Sequence, residues 1–303
     1  MDVKHGYNEN TGKMPSNIQR HYKRSSTGKN AAIVLKYAVL AVFVFMILFP
    51  LVIVFLTSFK TEQEYINTSV FQLPKSFLNF SNYAAAFKGA NFGNAFIVSI
   101  ELVVFSTFLN VLFGTMTAYC LDRFEFKLNK PIRFLYTLSA TVPGVTLQVS
   151  IYKMFVDIHL KSFAGPLAAP VLLYAATDII QIWIYLQYMK QIPVSLDESA
   201  MIDGASYFRI FRTIIFPLLM PATATVIIIK SIGVYNDLFT QYLYLSGKFN
   251  SISTALNSYA GVFGGTSHIL CAGLIIVMIP TIVLFLFLQR YIFEGLTVGA
   301  IKE

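Results

Sequence analysis

The sequence predicts an all-α integral membrane protein with six transmembrane helices and both termini on the cytoplasmic side. Of its 303 residues 56% are hydrophobic and only 13% are charged, with a mean hydropathy of +0.63. An ordinary soluble domain carries roughly 25% charged residues. Six stretches approach the roughly 20 apolar residues needed to cross a hydrocarbon core of about 30 Å, and the basic residues are distributed by side. These observations exclude a soluble globular enzyme and a disordered chain, and two cysteines cannot build a disulfide scaffold. The net charge of +8 by itself would suit nucleic acid. With so few charges in total it reads instead as membrane sidedness, so no nucleic-acid partner is expected.

Residues 1–30 are polar and basic and form a cytoplasmic arm ahead of the membrane-spanning remainder, 31–303. The first span runs from about Tyr37 to Leu56. Its apolar text continues past Pro50 with no small-residue cleavage site, so it is an uncleaved anchor. The second span covers about Ala95 to Tyr119, and the third about Ile132 to Val156 with Pro143 inside it. The fourth runs from about Pro166 to Met189, the fifth from about Pro217 to Asn236, and the sixth from about Ile269 to Phe293 around Pro280. Neighbouring helices can satisfy the carbonyls such prolines release. With the N-terminus inside, fifteen Lys and Arg lie on the inner segments. Five lie outside: Lys60, Lys75, Lys88, Lys161 and Lys248.

One inner loop, about Lys190 to Phe216, is long and patterned. Ser195 followed by Glu198 is a capping box that predicts a short helix from Leu196, with acidic residues in its first turn. Gly204 is its stop, able to take the left-handed conformation. Ser206 caps a second helix on which Phe208, Phe211 and Ile215 share a face while Arg209 and Arg212 lie elsewhere. Pro217 and Pro221 mark the return to the membrane. An interfacial connector and a docking element for a cytoplasmic partner both fit this pattern.

Glu198-Ser199-Ala200, then Gly204, then Ile214-Ile215-Phe216-Pro217 keep all the spacings of a known signature. The stretch resembles the Glu-Ala-Ala, three residues, Gly, nine residues, Ile-x-Leu-Pro motif of permease subunits in binding-protein-dependent ABC importers. Ser199 for Ala and Phe216 for Leu are the two departures, both mild in size and polarity. Asp203-Gly204-Ala205-Ser206, Pro217 to Ala222, Tyr235-Asn236-Asp237 and the tail from Gln289 to Lys302 are similar to the carbohydrate-uptake branch, the maltose-type second permease. The likeness runs from about residue 31 onward. It implies a type I ABC importer permease fold in the plasma membrane of a prokaryote. The implied partners are a second permease, two cytoplasmic ATPases and an extracytoplasmic solute-binding protein, with a sugar or oligosaccharide as cargo.

By that resemblance, coupling to an ATPase falls to the 195–217 loop, with coupling helices at about 193–216: Glu198, Ala200, Asp203, Gly204, Ala205, Arg209, Arg212 and Pro217. The tail at about 294–303 either reaches between the ATPases or is a frayed end. An outer loop with Tyr259, Gly261, Phe263, Gly264 and Gly265 either contacts the binding protein or is a glycine-rich linker. Tyr235 where the branch carries Trp, together with the basic arm, leans the cargo towards oligosaccharides other than maltodextrins.

Polar groups inside spans are expensive and point to function. Asp178 and Gln181 lie one turn apart in the fourth span and Lys230 in the fifth; with Tyr174 and Gln148 they are candidates to line a pathway, as are Tyr235, Asn236 and Asp237. Sugars offer hydroxyls to paired donors and acceptors and C–H faces to aromatic rings. Glu101 and Lys153 fall at matching depth, which suits a structural ion pair, snorkelling or cargo contact. A competing class, an ion-coupled secondary transporter, would use Glu101, Asp178 and Lys230 as its relay, yet predicts inverted repeats that are not visible and leaves the inner loop unexplained. A membrane enzyme would need a catalytic cluster, and none is visible.

No G-x-x-x-x-G-K-[ST] loop occurs, so ATP and Mg are expected on partner subunits and no cofactor in this chain. The four histidines are scattered over loops and make no metal site. Cys120 and Cys271 fall near opposite faces and are expected to be unpaired packing residues.

Overall fold

A computed structural model describes residues 16–89, 91–245, 249–262 and 267–300, without the side chains of 16–32, 163, 258–262, 288 and 290–300. The described residues are helical, with no strand. In chain order the helices are α1 Ser16–Ser58, α2 Glu62–Asn67, α3 Ser81–Gly89, α4 Phe92–Arg123, α5 Asn129–Ser139 and α6 Gly144–Asp157. They continue with α7 Leu160–Ala164, α8 Ala168–Ala175, α9 Ile179–Met189, α10 Ser195–Ile202 and α11 Tyr207–Leu218. The last four are α12 Met220–Asn236, α13 Leu238–Tyr244, α14 Ile252–Val262 and α15 Ser267–Ala300.

Three apolar stretches within these helices are single crossings: Ile33–Ser58 of α1, Phe92–Arg123 of α4 and Ser267–Phe287 of α15. The other three spans are broken. The third bends by 107° between α5 and α6, the fourth by 43° between α8 and α9, and α11 meets α12 at 74°. Six crossings result when each bent pair counts as one. Pro280 is absorbed in the continuous α15. Pro143, by contrast, is not accommodated inside a helix but sits at the N-cap of α6, after the turn at Thr141 and Val142. Its missing N–H and its clash with the preceding residue favour a new helix over a continued one. In the fifth crossing the α12 segment, which starts three residues beyond the expected Pro217, has 17 residues and is roughly 25 Å long.

α4 is the axis of the bundle, in contact with α8, α9, α12 and α14. The pattern of its 32 residues explains this. Ser99, Ser106, Thr107, Asn110, Gly114, Thr115 and Ala118 form a buried stripe of mostly small side chains, which lets neighbouring backbones approach closely. Ile97, Ile100, Val104, Phe105 and Phe108 face outward, as lipid-facing residues do. Three apolar clusters stack along this axis. One joins α4 and α9 to α11 and α12 through Tyr119, Tyr185, Met189, Ile210, Phe211 and Ile215. Another joins α3, α4, α12 and α14 through Ala86, Phe92, Tyr235 and Ile252. Between them lie Val98, Leu102, Val234 and Leu245. α1 packs on α15 and leaves its apolar residues from Ile33 to Val52 exposed within this chain.

Helical backbone continues to Ala300, so the sixth span and the segment from 294 are one helix, and residues 301–303 lie outside the described residues. Residues 1–15 of the arm also lie outside them. Cys120 and Cys271 are free thiols; Cys120 is exposed rather than packed.

Candidate coupling element and polar cavity

The chain between α9 and α12 projects a two-helix element from one end of the bundle. α10 ends in a Schellman motif: the Ala205 amide donates to the Ala200 carbonyl at 2.9 Å and the Gly204 amide to that of Met201 at 3.0 Å. Gly204 has φ +80°, the left-handed region, and a Cβ there would meet no atom of this chain. Glycine is therefore required by backbone conformation and not by crowding within the subunit. Ser206 caps α11 by accepting from the Arg209 amide at 3.4 Å.

Two local expectations are corrected. Ser195 makes no capping bond, because the helix begins on the carbonyls of Pro193 and Val194 and Ser195 is already its first residue. A reciprocal capping box does form elsewhere, between Thr61 and Glu64 at the start of α2. On α11 the buried face is Ile210, Phe211 and Ile215, while Phe208 is exposed. Phe208 sits at the edge of that face, its ring 6.5 Å from that of Phe211, and the π-turn over Phe211–Ile215 brings Ile215 into line with Ile210 and Phe211.

Glu198, Asp203, Arg209, Arg212 and Pro217 are exposed, whereas Ala200 and Ala205 pack against the cluster beneath. Leu196, Met201 and Ile202 also point outward from α10, Ile202 at 87% exposure. The element thus presents an apolar tip flanked by acid on α10 and base on α11.

A clasp not singled out in the sequence holds this element to α4. Asp197, on the inner side of α10, is buried and accepts from Arg123 Nε at 3.1 Å and from the Tyr119 hydroxyl at 3.4 Å. Arg123 also bonds Asp122 at 2.7 Å and donates through Nη2 to the Ile192 carbonyl at 2.8 Å. Ring contacts Phe124–Tyr207 at 5.0 Å and Tyr119–Phe211 at 5.5 Å extend it to α11. The signal available was an arginine at the end of an apolar span and an acid beside the motif's glutamate; their pairing across 74 residues was not.

Further into the bundle, Tyr174, Asp178, Gln181, Lys230 and Asp237 line one cavity of about 320 Å³. It lies beside the break in the fourth span, with Tyr174 on one side of the bend and Asp178 and Gln181 on the other. Asp178 caps α9, accepting from the Gln181 amide at 2.9 Å, and pairs with Lys230 across to α12. Asn110 of α4 donates to the carbonyls freed at the break, Ala176 at 2.9 Å and Tyr174 at 3.3 Å. The Tyr174 hydroxyl donates to Asp237 at 3.0 Å, and Asp237 caps α13 through the Thr240 amide at 3.0 Å. Gln181 is 1% exposed, and its carboxamide lies over Gly114 and donates to the Asn110 carbonyl at 2.7 Å.

Other pathway candidates do not reach this cavity. Gln148 lies on α6, where its carbonyl accepts from Tyr244 at 3.1 Å, because the sharp bend at Pro143 carries α6 away from the cavity. Tyr235 packs toward α15 and donates to the Val277 carbonyl at 3.2 Å, and Asn236 is exposed and bonds back to Ile232. Residues i, i+1 and i+2 of a helix point in different directions, so of that trio Asp237 alone lines it. Glu101 and Lys153 form no ion pair with each other among the described residues. Tyr259 and Gly261 lie on the helical backbone of α14 and not in a loop, with side chains outside the described residues; Phe263, Gly264 and Gly265 lie outside them entirely.

A polytopic helical bundle with broken spans, a polar cavity and a two-helix element at one end defines a transport permease. The chain belongs to the family described as binding-protein-dependent transport system inner membrane component, whose profile matches residues 110–298. It is 35% identical over 255 residues to the melibiose/raffinose/stachyose import permease protein MelC of Bacillus subtilis, covering 84% of this chain and 91% of that one. It is 31% identical to the probable starch degradation products transport system permease protein AmyC of Thermoanaerobacterium thermosulfurigenes, covering 84% and 91%. The fold matches a chain from the crystal structure of a bacterial ABC transporter involved in the import of alginate. That match has a TM-score of 0.73 and 19% identity, and covers 87% of this chain and 97% of the other. The protein is thus a multi-pass plasma-membrane permease with the type I ABC importer fold, and not a catalytic subunit. An ion-coupled mechanism through Glu101, Asp178 and Lys230 is not supported.

Proposed function

We propose that the chain forms half of the translocation pathway of an ATP-driven importer of short oligosaccharides. It pairs with a second permease, is driven by two cytoplasmic ATPase subunits that carry ATP and Mg, and receives cargo from an extracytoplasmic solute-binding protein. The termini and the α10–α11 element face the cytoplasm, in line with the distribution of Lys and Arg. The observation that carries the reading is the exposed tip of α10. Leu196, Met201 and Ile202 are apolar side chains held in water by a short capped helix, a form suited to insertion into a groove of an ATPase.

Glu198 and Asp203 then meet basic or backbone donors, and Arg209 and Arg212 meet acidic surface. Movement of the docked helix as the ATPases close alternates access to the cavity of Tyr174, Asp178, Gln181, Lys230 and Asp237. That cavity offers carboxylates, an ammonium group and a phenol, groups that pair with sugar hydroxyls. The oligosaccharide class rests on the named cargoes of the relatives, and the binding-protein role of residues 259–265 on the family resemblance.

Gly204→Asp is the test. Asp at φ +80° strains the Schellman turn and adds a charge where the ATPase docks. The expected result is loss of raffinose uptake and of cargo-stimulated ATP hydrolysis, with the subunit still inserted. Normal uptake would sink the coupling role.

A further inference from the structure

We infer that Arg123 is a positioning residue that makes α10 and α4 a single mechanical body, so that movement of the coupling helix becomes movement of the bundle's central helix. The inference deepens the coupling role proposed above and rests on it. Between α10 and α12 the chain alone is a poor transmitter, with a glycine at φ +80°, a π-turn and a 74° bend in series. A direct link from α10 to the bundle is therefore needed, and the Arg123 clasp is where the structure has one.

The guanidinium has three separate engagements. Nε meets Asp197 on α10, Nη2 meets the Ile192 carbonyl at the end of the fourth span, and Nη1 meets Asp122 on α4 itself. The side chains of Arg123 and Asp197 are 8% and 6% exposed, so the pair is shielded from water and from salt. Such a cluster breaks at large cost when one partner is removed, because a charge is left buried. A lysine could serve one of these directions and not three, since its ammonium is a point charge without a planar fork. Tyr119 adds a hydroxyl to the other Asp197 oxygen and a ring contact to Phe211, so α11 is included.

The far end of the same helix carries the second half of the inference. The Ile252 amide, at the start of α14, donates to Ser99 Oγ of α4 at 2.8 Å. α14 carries Tyr259 and Gly261, which belong to the segment that meets the binding protein in the reading above. A helix of 32 residues is roughly 48 Å long. One continuous rod thus joins the ATPase-facing element to the outer surface, and a link at Arg123 sets whether the rod follows α10.

The experiment uses the full complex, with the chain in a Cys120→Ser/Cys271→Ser background and spin labels at Ser199→Cys on α10 and Ile100→Cys on the lipid-facing side of α4. Pulsed electron resonance gives the distance between them without nucleotide and in the ATP–vanadate state. With Arg123 intact, one narrow distance is expected in both states. In Arg123→Gln, and in Arg123→Lys, the distance broadens and shifts on trapping, and ATP hydrolysis loses its response to the loaded binding protein. Asp197→Asn keeps the side-chain volume and gives the same loss, which separates the effect from misfolding of the arginine variants. A nucleotide-dependent distance with Arg123 intact, or an unchanged narrow distance in both Arg123→Gln and Asp197→Asn, overturns the inference. A separate readout addresses the reading on which it rests: Ser199→Cys should cross-link to the ATPase subunit, and absence of that cross-link refutes docking while the distances still report on the clasp.

Discussion

Replacing Gly114 by Ala probes how closely α4 and α9 are locked at the broken fourth span. A Cβ at position 114 falls 2.5 Å from Gln181 Cδ and nearer still to Nε2, inside any permitted contact. Gln181 cannot simply swing away, because it is fully buried and its amide donates to the Asn110 carbonyl at 2.7 Å. Three effects compete. Alanine gains about 1 kcal/mol over glycine in a helix. Breaking the Gln181–Asn110 hydrogen bond leaves a buried polar group unsatisfied, at about 1–3 kcal/mol. Overpacking a close contact adds about 1–3 kcal/mol. The sum is destabilising at either end of these ranges, by about 1–5 kcal/mol. In a Gln181→Ala background the obstacle is gone and only the helix gain remains, so the same substitution becomes neutral or mildly stabilising. Thermal unfolding of the purified complex across the four combinations checks this, as a double-mutant cycle in which Gly114→Ala should cost about 1–6 kcal/mol more in the wild type than in the Gln181→Ala background. Equal effects of Gly114→Ala in both backgrounds, or no effect in the wild type, would refute the reasoning.

The Asp178–Lys230 pair should behave as a unit. Asp178→Asn keeps a good N-cap for α9 while removing the charge, and Lys230→Met removes the other. Each single variant should lower the melting temperature of the complex and the double variant should recover part of the loss; a double loss equal to the sum of the singles would count against the pairing. Glu64 sets a pH dependence in the segment between α1 and α3. The backbone amides of Thr61 and Lys75 hold its carboxyl below the usual carboxylate range. Its contribution is therefore present above the unfolded pKa and lost as pH falls through the lower folded value. Hydrogen exchange at residues 61–75 should show protection falling on acidification below about pH 4.3, and Glu64→Gln should remove that step; an identical pH profile in the variant would exclude the assignment.

Much of the scaffold could be read before any coordinate was known, for identifiable reasons. Long apolar runs report crossings directly, since hydrocarbon tolerates little else. Gly204 and Ser206 act on the backbone within a few residues of themselves, so their roles as stop and cap were legible. Local reasoning failed where a competing local signal or a distant partner took over. The Ser195–Glu198 pair looked like a capping box, but Pro193 and Val194 started the helix first. Pro143 and Pro280 look alike in sequence; one lies at a 107° break and the other in a continuous helix. Phe208 and Phe211 share a helical period and a ring contact, yet only Phe211 is buried against the bundle.

The candidate sites divide in the same way. Asp178 and Lys230 could be flagged individually, since any ionisable group in a span is costly. That they pair and share a cavity with Tyr174 and Asp237, while Gln148 and Tyr235 do not, depends on where the spans break. The sequence by itself determined the class of molecule, its crossings and the position of the two-helix element between the fourth and fifth spans, because hydropathy and turn chemistry act over a few residues at a time. Only the tertiary structure decided which charges meet. Asp197 beside Glu198 turns inward to Arg123 and Glu198 outward, and that choice belongs to the packing of α10 on α4, which no local pattern encodes.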